Sequence, residues 1–216
     1  MSQFTKIDEL LLPDHSALTK NDNCYFYGEY TARAGYAASP TNNLISNFKR
    51  EVKYKNTNAW QYKIQAIKNV AKMICSSLDW DRMDNIYWQH IPSSKSKSDP
   101  EYDDRFEQLF DEMSRIAPTN FNRLDCLQTI TSNVADHISG NRTSIEDLVT
   151  NIQFIPPPPN VIPRQIMILD DIITNGNHYK ATQNVLSSYF RDCYFTGMFI
   201  ARTVHLQVQL DFSDLY

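Results

Sequence analysis

The sequence predicts an α/β protein, a single domain built on an open, mostly parallel sheet flanked by helices. First, apolar runs of strand length alternate with segments whose apolar residues recur every three or four positions, which is typical of such sheets. Second, the 216 residues suit one domain, and 42% of them are hydrophobic, enough for a sizeable core. Third, an apolar strand in residues 166–178 runs through two acids into a polar loop.

The predicted elements follow one another along the chain. Residues 1–40 are an N-terminal segment expected to contribute to a hood, and residues 41–216 are the main domain. Helices are predicted over 41–53, 59–78, 105–116, 143–149 and 179–190. Strands are predicted over 86–91, 123–130, 166–173 and 197–204. The helix at 59–78 has the most regular spacing of apolar residues, which places one face in the core.

Composition excludes several classes of protein. A net charge of −4 argues against nonspecific coating of nucleic acid. No apolar stretch approaches the roughly 20 residues of a membrane span, and the first fifteen residues lack an export signal. The cysteines are far apart, without a Cys-x-x-Cys pair, which indicates free thiols rather than a zinc ribbon. We therefore expect a cytoplasmic protein that does not bind membranes.

Asp170 and Asp171 are the leading candidates for a functional site. They lie toward the carboxyl end of the predicted strand 166–173, and a short loop around Gly176 then opens a helix. Ligands of open α/β sheets bind beyond the carboxyl ends of strands, where the N–H groups of helix N-termini can hold a phosphate. The carboxylates then stand where a ribose diol attached to that phosphate would lie. The alternative is a strand that ends in a solvated turn.

This arrangement resembles the phosphoribosyl-pyrophosphate (PRPP) motif of type I phosphoribosyltransferases: an apolar strand, two acids, two apolar residues and a loop of Thr, Ser and Gly. The resemblance implies the fold of that family with a divergent hood, and Asp170 and Asp171 as catalytic residues. It assigns the 5′-phosphate to the loop residues Thr174, Asn175, Gly176, Asn177 and His178. Asn175 and His178 depart from the pattern, since family members usually have Thr or Ser there.

A second loop fits the same ligand. Ser93, Ser94 and Lys95 follow the predicted strand 86–91 and bring two hydroxyls, backbone N–H groups and an ammonium, which are groups that bind pyrophosphate. Phosphoribosyltransferases of this type carry a pyrophosphate loop after an earlier strand of the sheet. Without the acid pair downstream, the same run reads as an ordinary solvated loop.

Further landmarks are similar to the competence-protein ComF branch of the family over roughly residues 44–204. Lys49, Arg105 and Arg142 match an early Lys and two Arg landmarks of that branch, and are candidate accessory residues. Two departures stand out. The zinc ribbon that commonly begins the branch is absent, and its Arg-Gly-Phe-Asn run is reduced to Arg105-Phe106.

The resemblance implies an enzyme that binds PRPP and transfers its phosphoribose to an unidentified nitrogen acceptor. Mg²⁺ is the expected cofactor. It would arrive with PRPP rather than at a protein metal site, with Asp170 and Asp171 as candidate contacts. Two alternatives stay open: a non-catalytic sensor of PRPP or a nucleotide, and a nucleotide-targeting effector of a multi-protein, defence-type system. A homodimer or a partner protein also stays open.

Overall fold

The computed structural model describes residues 4–132 and 143–205. Its helices are α1 (Pro40–Phe48), α2 (Trp60–Cys75), α3 (Arg105–Ile116), α4 (Ile145–Thr150) and α5 (Asn177–Tyr189). Its longer strands are β2 (Asn23–Thr31), β3 (Ile86–His90), β7 (Gln165–Ile173) and β8 (Tyr194–Val204). Its short strands are β1 (Thr5–Lys6), β4 (Asn122–Arg123), β5 (Leu127–Thr129) and β6 (Ile152–Phe154).

The main sheet has the order β1-β2-β8-β7-β3-β4. Neighbouring strands from β2 to β4 are parallel, and only the two-residue β1 at the edge is antiparallel. This confirms the predicted fold class. β7 lies inside the sheet between β3 and β8, so its apolar residues are covered on both faces, as the unbroken run Ile166 to Leu169 requires.

Helices cover both faces of the sheet. One core cluster joins α1, α2 and α3 to the sheet, and the other joins α5 and the N-terminal segment to the opposite face. The helices are held on the sheet by buried apolar side chains, as the apolar stripe of α3 illustrates. Its members Phe106, Leu109, Phe110 and Met113 are all at most 4% exposed. Burying a large apolar side chain stabilises the fold by roughly 1.5–3 kcal/mol, so this stripe alone anchors the helix.

Two sequence expectations change. The strand predicted over 123–130 is two short strands: β4 belongs to the main sheet, and β5 pairs with β6 in a separate antiparallel sheet. In addition, residues 1–40 contain β1 and β2, which belong to the main sheet. The close packing of β2 has a local cause. A Cβ at Gly28 would lie 2.5 Å from Thr41 Oγ1, so glycine lets α1 approach the strand.

No helix within the described residues is both long and apolar enough to span a bilayer. The four cysteines are unpaired, as expected; three are buried and Cys193 is partly exposed. Burial raises the pKa of the Cys24 and Cys126 thiols to about 12, so both stay protonated at neutral pH.

Candidate functional site

The two predicted anion-binding loops lie side by side. β3 and β7 are neighbouring parallel strands, with His90 opposite Leu169, and the pairing continues through a hydrogen bond of 2.9 Å from Ile91 N to Leu169 O. Because the carboxyl ends of parallel strands share one edge of the sheet, the loop after β3 and the loop after β7 emerge together. The fold therefore joins the predicted phosphate and pyrophosphate segments in space.

A small cavity of about 30 Å³ separates the two loops. Its wall includes Pro92, Ser93 and Ser94 from one loop and His178 and Thr182 from α5. The hydroxyl of Thr182 is fully buried and has no hydrogen-bond partner within the described residues. A volume of this size holds roughly one water molecule, so a phosphate ligand requires the loops to separate.

The loop after β7 is a braced turn at the start of α5. Gly176 has φ of +92°, a left-handed conformation that favours glycine, and it directly precedes the first residue of α5. Asn175 Oδ1 accepts from the backbone N–H of Asn177 at 3.2 Å, and Asn177 Nδ2 donates to Thr143 O at 3.0 Å. The Asn side chains thus brace the turn, and α5 presents the positive end of its dipole at this point.

Residues of the N-terminal segment hydrogen-bond to this loop and pack against it. The ring of His15 hydrogen-bonds to Thr174 O through Nδ1, and Ala17 N donates to Asn175 O at 2.9 Å. A Cβ at Gly176 would lie 3.0 Å from Leu18 Cδ2. His15 is fully buried, and burial lowers the pKa of its imidazole, which keeps the ring neutral near pH 7. The turn is therefore shaped by residues about 160 positions earlier in the chain.

The two adjacent acids have different environments. Asp171 is 3% exposed, and both its oxygens are occupied: Oδ1 lies 3.2 Å from Lys49 Nζ, and Oδ2 accepts from Arg105 Nη2 at 2.6 Å. Asp170 is only partly buried, and its Oδ1 accepts from the backbone N–H of Asp171 at 2.8 Å. No cation pairs with Asp170 in the described part of the chain. Asp170 is therefore the carboxylate with capacity left for a ligand.

These environments move the two pKa values in opposite directions. Burial, and then the neighbouring charge of Asp171, raise the pKa of Asp170 to about 7. Burial also acts to raise the pKa of Asp171, but Lys49 and Arg105 outweigh it and lower the value to about 2. Asp171 therefore carries the negative charge of the pair at neutral pH, and Asp170 is the acid of the two that protonates more readily.

A chain of charges extends from Asp171 into the protein. Arg105 Nη1 also donates to Asp103 Oδ2 at 3.0 Å, and Lys63 Nζ donates to the same oxygen at 2.7 Å. The Lys63 side chain is completely buried, and its second bond goes to the backbone O of Arg50 at 2.8 Å. Three cations and two carboxylates thus fix the start of α3 against β7. Arg105 and Lys49 meet at the acid pair, whereas Arg142 lies outside the described residues.

The loop after β3 is internally tethered. Lys95 Nζ lies 3.1 Å from Glu101 Oε2 and 3.8 Å from Asp99 Oδ2, and Ser93 Oγ accepts from Lys95 N at 3.3 Å. Ser93 O also accepts a hydrogen bond from Thr129. The ammonium of Lys95 therefore has carboxylate partners, which an incoming pyrophosphate has to replace.

The described residues contain no cluster of three or more His, Cys, Asp or Glu side chains suited to a metal ion. A single partly exposed carboxylate, Asp170, fits an ion that arrives with its own phosphate oxygens and waters, which is the usual mode of Mg²⁺.

Sequence reasoning missed three residues that shape the site: His15, Lys63 and Asp103. Lys63 gave a signal, because a lysine within the apolar stripe of α2 has to find a buried anion. Asp103 gave none, because an acid in a polar loop is usually solvated, whereas its side chain is only 13% exposed. His15 gave none, since its partner is a backbone carbonyl remote in sequence.

No protein-family model matches the sequence, and no curated protein matches it. The chain is similar to two crystal structures of a hypoxanthine phosphoribosyltransferase from Staphylococcus aureus, one tetragonal and one orthorhombic. The first has a TM-score of 0.41 and 14% identity, covering 64% of this chain and 73% of that chain. The second has a TM-score of 0.35 and 14% identity, covering 67% and 68%. At these values the likeness does not assign the chain to a family.

Proposed function

We propose that this chain binds PRPP with Mg²⁺ and transfers its phosphoribose to a nitrogen acceptor. The observation that carries the proposal is the cavity shared by the loop after β3 and the start of α5. PRPP has a phosphate at one end of its ribose and a pyrophosphate at the other. A protein that binds it needs two anion loops close together, with a carboxylate for the hydroxyls between them.

The loop 174–178 is the proposed 5′-phosphate site. The left-handed Gly176 directly precedes α5, and this 13-residue helix contributes the positive end of its dipole at the loop. Asn175, where the family pattern has Thr or Ser, braces the turn through its amide. The proposed phosphate contacts are therefore mainly backbone groups, which tolerate this substitution.

Asp170 is the proposed ribose contact, and Asp171 positions it. Asp170 lies one residue beyond Leu169, the register partner of His90, so it is level with the start of the pyrophosphate loop. Charge-assisted hydrogen bonds from ribose hydroxyls to a carboxylate are roughly twice as strong as neutral ones. Asp170 is the carboxylate that would hold Mg²⁺, and the ion would neutralise charge on the leaving pyrophosphate.

In the proposed reaction, the bond from the anomeric carbon to the pyrophosphate oxygen breaks, and its electron pair leaves with pyrophosphate. The acceptor nitrogen forms the new bond with its lone pair and releases its proton to water. This chain's residues hold the sugar and shield it from water, while Ser93, Ser94 and Lys95 receive the departing charge. Lys95 has to leave Glu101 and Asp99 to do so.

A non-catalytic binder is the second candidate, and one observation favours it. The cavity between the loops is closed to about 30 Å³, and Lys95 is held by carboxylates. A PRPP or nucleotide sensor could use the same opening of the loops as its signal, without chemistry. We also propose, from the sequence landmarks alone, that the protein is related to the ComF branch.

Two measurements test the proposal. Calorimetric titration should show that PRPP binds in the presence of Mg²⁺. Ribose 5-phosphate should bind with lower affinity, because it lacks the pyrophosphate. Pyrophosphate release should then be followed with PRPP and a panel of nitrogen heterocycles. PRPP binding without pyrophosphate release with any acceptor favours the sensor, and no PRPP binding at millimolar concentration overturns both the transferase and the PRPP sensor.

A further inference from the structure

A larger concavity lies at the same edge of the sheet, beyond the end of β2. This cleft, of about 410 Å³, is lined by side chains from β2, from α1 and from the segment that follows α1. Its volume is within the range of small-molecule sites, roughly 300–1,000 Å³. We call it the tyrosine cleft and define it by Tyr30, Tyr36, Ser46, Lys49, Arg50 and Tyr54.

The tyrosine cleft has aromatic walls, two of which are exposed. Tyr36 is 66% exposed and Tyr54 is 38% exposed, while Tyr30 at the end of β2 is partly buried. Tyrosine rings gain most from packing against another flat, apolar face, and their hydroxyls remain available as hydrogen-bond partners. These walls therefore suit a planar aromatic ligand.

The lining of the cleft carries more positive than negative charge. Its one acid, Glu51, forms an ion pair with Lys53, and Lys49 is paired with Asp171, so Arg50 is the cation of the lining that has no carboxylate partner in the described chain. Arg50 has no carboxylate partner among residues 4–132 and 143–205; its Nη2 donates to Asn47 Oδ1 at 2.7 Å. Its Nε is buried and has no hydrogen-bond partner there. An unsatisfied buried guanidinium nitrogen is unfavourable unless a ligand or water satisfies it.

The rim of the cleft is held in shape by one buried side chain. Asn42 is completely buried, and its amide nitrogen donates to Thr31 O at 3.0 Å and to Gly35 O at 2.9 Å. Its amide oxygen accepts from Thr31 N at 3.0 Å. The rim also contains two left-handed residues, Arg33 at φ +63° and Gly35 at φ +78°. A strained loop fastened by a saturated Asn is a preformed wall rather than a loose surface segment.

From these features we infer that the tyrosine cleft is a binding site for a small planar aromatic anion, the ring against the tyrosines and the acidic group at Arg50 and Lys49. Lys49 connects this site to the acid pair, since its ammonium lies 3.2 Å from Asp171 Oδ1. If the proposed phosphoribosyl transfer is correct, the cleft is where the acceptor binds, and the acceptor is an aromatic nitrogen heterocycle with an acidic substituent. That second step rests on the proposed function, whereas binding in the cleft does not.

The test uses a matched pair of probes, 2-naphthoate and 2-naphthamide, which share a ring system and differ in charge. Calorimetry without PRPP should show that naphthoate binds the full chain at least fivefold more tightly than naphthamide. Arg50→Gln should remove this preference and leave naphthamide binding unchanged. Its backbone carbonyl, which holds Lys63, is unaffected by the substitution.

A blocking variant locates the site. Ser46 is exposed on α1 and lines the cleft, so Ser46→Trp should fill it and weaken naphthoate binding at least tenfold at an unchanged melting temperature. The control is Ser187→Trp, at an exposed position of α5 outside the lining, with affinity within twofold of wild type. The inference is overturned by equal binding of the two probes, by an unaffected Ser46→Trp variant, or by no binding at millimolar naphthoate. PRPP titration of the same Ser46→Trp protein reports separately on the proposed function.

Discussion

Arg105 Nη2 lies 2.6 Å from Asp171 Oδ2, and this contact joins the first residue of α3 to the interior of β7. Both side chains are largely buried, at 15% and 5% exposed. Burial lowers the pKa of Arg105, but Asp171 and Asp103 outweigh it and raise the pKa above its usual value. The ion pair thus fixes the charge of Asp171 and leaves Asp170 as the acid that can respond to a ligand.

Arg105→Ala should lower the free energy of unfolding by about 3–5 kcal/mol, because it leaves a buried carboxylate with an incomplete set of partners. Urea denaturation at pH 7 measures the change. Arg115→Ala is the matched control, since Arg115 pairs with Glu112 on the surface of the same helix and is 68% exposed. Its effect should stay below about 1 kcal/mol, and equal losses for the two variants would contradict a structural role for Arg105.

Asp170→Asn should change the pH dependence of stability. The pKa of Asp170 is raised from 3.8 to about 7, so the folded protein holds this proton more tightly than the unfolded chain does. The contribution is fully present below pH 3.8 and is lost as the pH rises through 7. Between pH 4 and 7, the free energy of unfolding of the variant should therefore rise relative to wild type. A constant difference over this window would refute the raised pKa.

The free energy of unfolding of Asp171→Asn, measured in the same way, should depend on pH in the opposite direction. The lowered pKa of Asp171 means that its contribution is present above pH 3.8 and is lost as the pH falls through about 2. The variant should be least stable relative to wild type at neutral pH, and the difference should become smaller in acid.

Ligand binding should also distinguish the two acids. Asp170→Asn should lose affinity for ribose 5-phosphate while the protein stays folded.

Gly176→Ala should destabilise the loop after β7 for two reasons, the φ of +92° at this position and the contact of 3.0 Å that a Cβ would make with Leu18. Gly35→Ala is the control for the first reason alone, because its φ is +78° and nothing lies within 4 Å of a Cβ there. We expect about 1 kcal/mol for Gly35→Ala and a larger loss for Gly176→Ala. Because Leu18→Ala removes the side chain that the new Cβ would contact, the double variant should lose less unfolding free energy than the sum of the two single variants. Strictly additive losses would exclude the contact.

His15→Ala should weaken ribose 5-phosphate binding about fivefold, since one hydrogen bond to Thr174 O contributes about 1 kcal/mol to the order of the loop. His205→Ala, at an exposed position after β8, should leave affinity unchanged. Calorimetry on the three proteins at pH 7.5 decides it. If the two variants bind alike, His15 does not position the loop.

Lys95→Ala and Glu101→Gln should have opposite effects on PRPP affinity. Removing the ammonium deletes a charged hydrogen bond of roughly 1.5–3 kcal/mol, which is about tenfold or more in affinity. Removing Glu101 releases Lys95 from a partner at 3.1 Å, so PRPP should bind more tightly. Affinity for ribose 5-phosphate should barely move in either variant. Parallel changes for both ligands would indicate a general electrostatic effect instead.

Local pattern was sufficient for much of this fold. The helix at 105–116 and the strand at 86–91 were predicted almost to the residue, because their apolar spacing and flanking residues are unambiguous. β2 was missed, because its tyrosine-rich run contains Gly28 and Glu29 and lacks a continuous apolar stripe. Its strand character depends on pairing with β8, remote in sequence.

For the candidate site, the sequence predicted which residues but not their connections. The sequence predicted a parallel sheet, and the carboxyl ends of parallel strands lie at one edge. The shared edge of the loops following β3 and β7 was therefore predictable. That Asp171 is saturated and Asp170 is not depends on where Lys49 and Arg105 lie in three dimensions. Adjacent strand residues alternate between faces, so neighbouring acids in a motif acquire separate chemistry from tertiary contacts alone.

The parallel pairing of β2 with β8 has a consequence for how the protein is made. Asn23 and Thr196, opposite each other in the sheet, are 173 residues apart. Sheets closed by such distant partners fold slowly, since loop closure precedes the stabilising contacts. On the ribosome, the N-terminal strand waits for almost the whole of the described chain to be translated before it finds its partner. The segment that contacts the loop after β7 lies just before β2, so its place in the fold is fixed only after β8 has been translated.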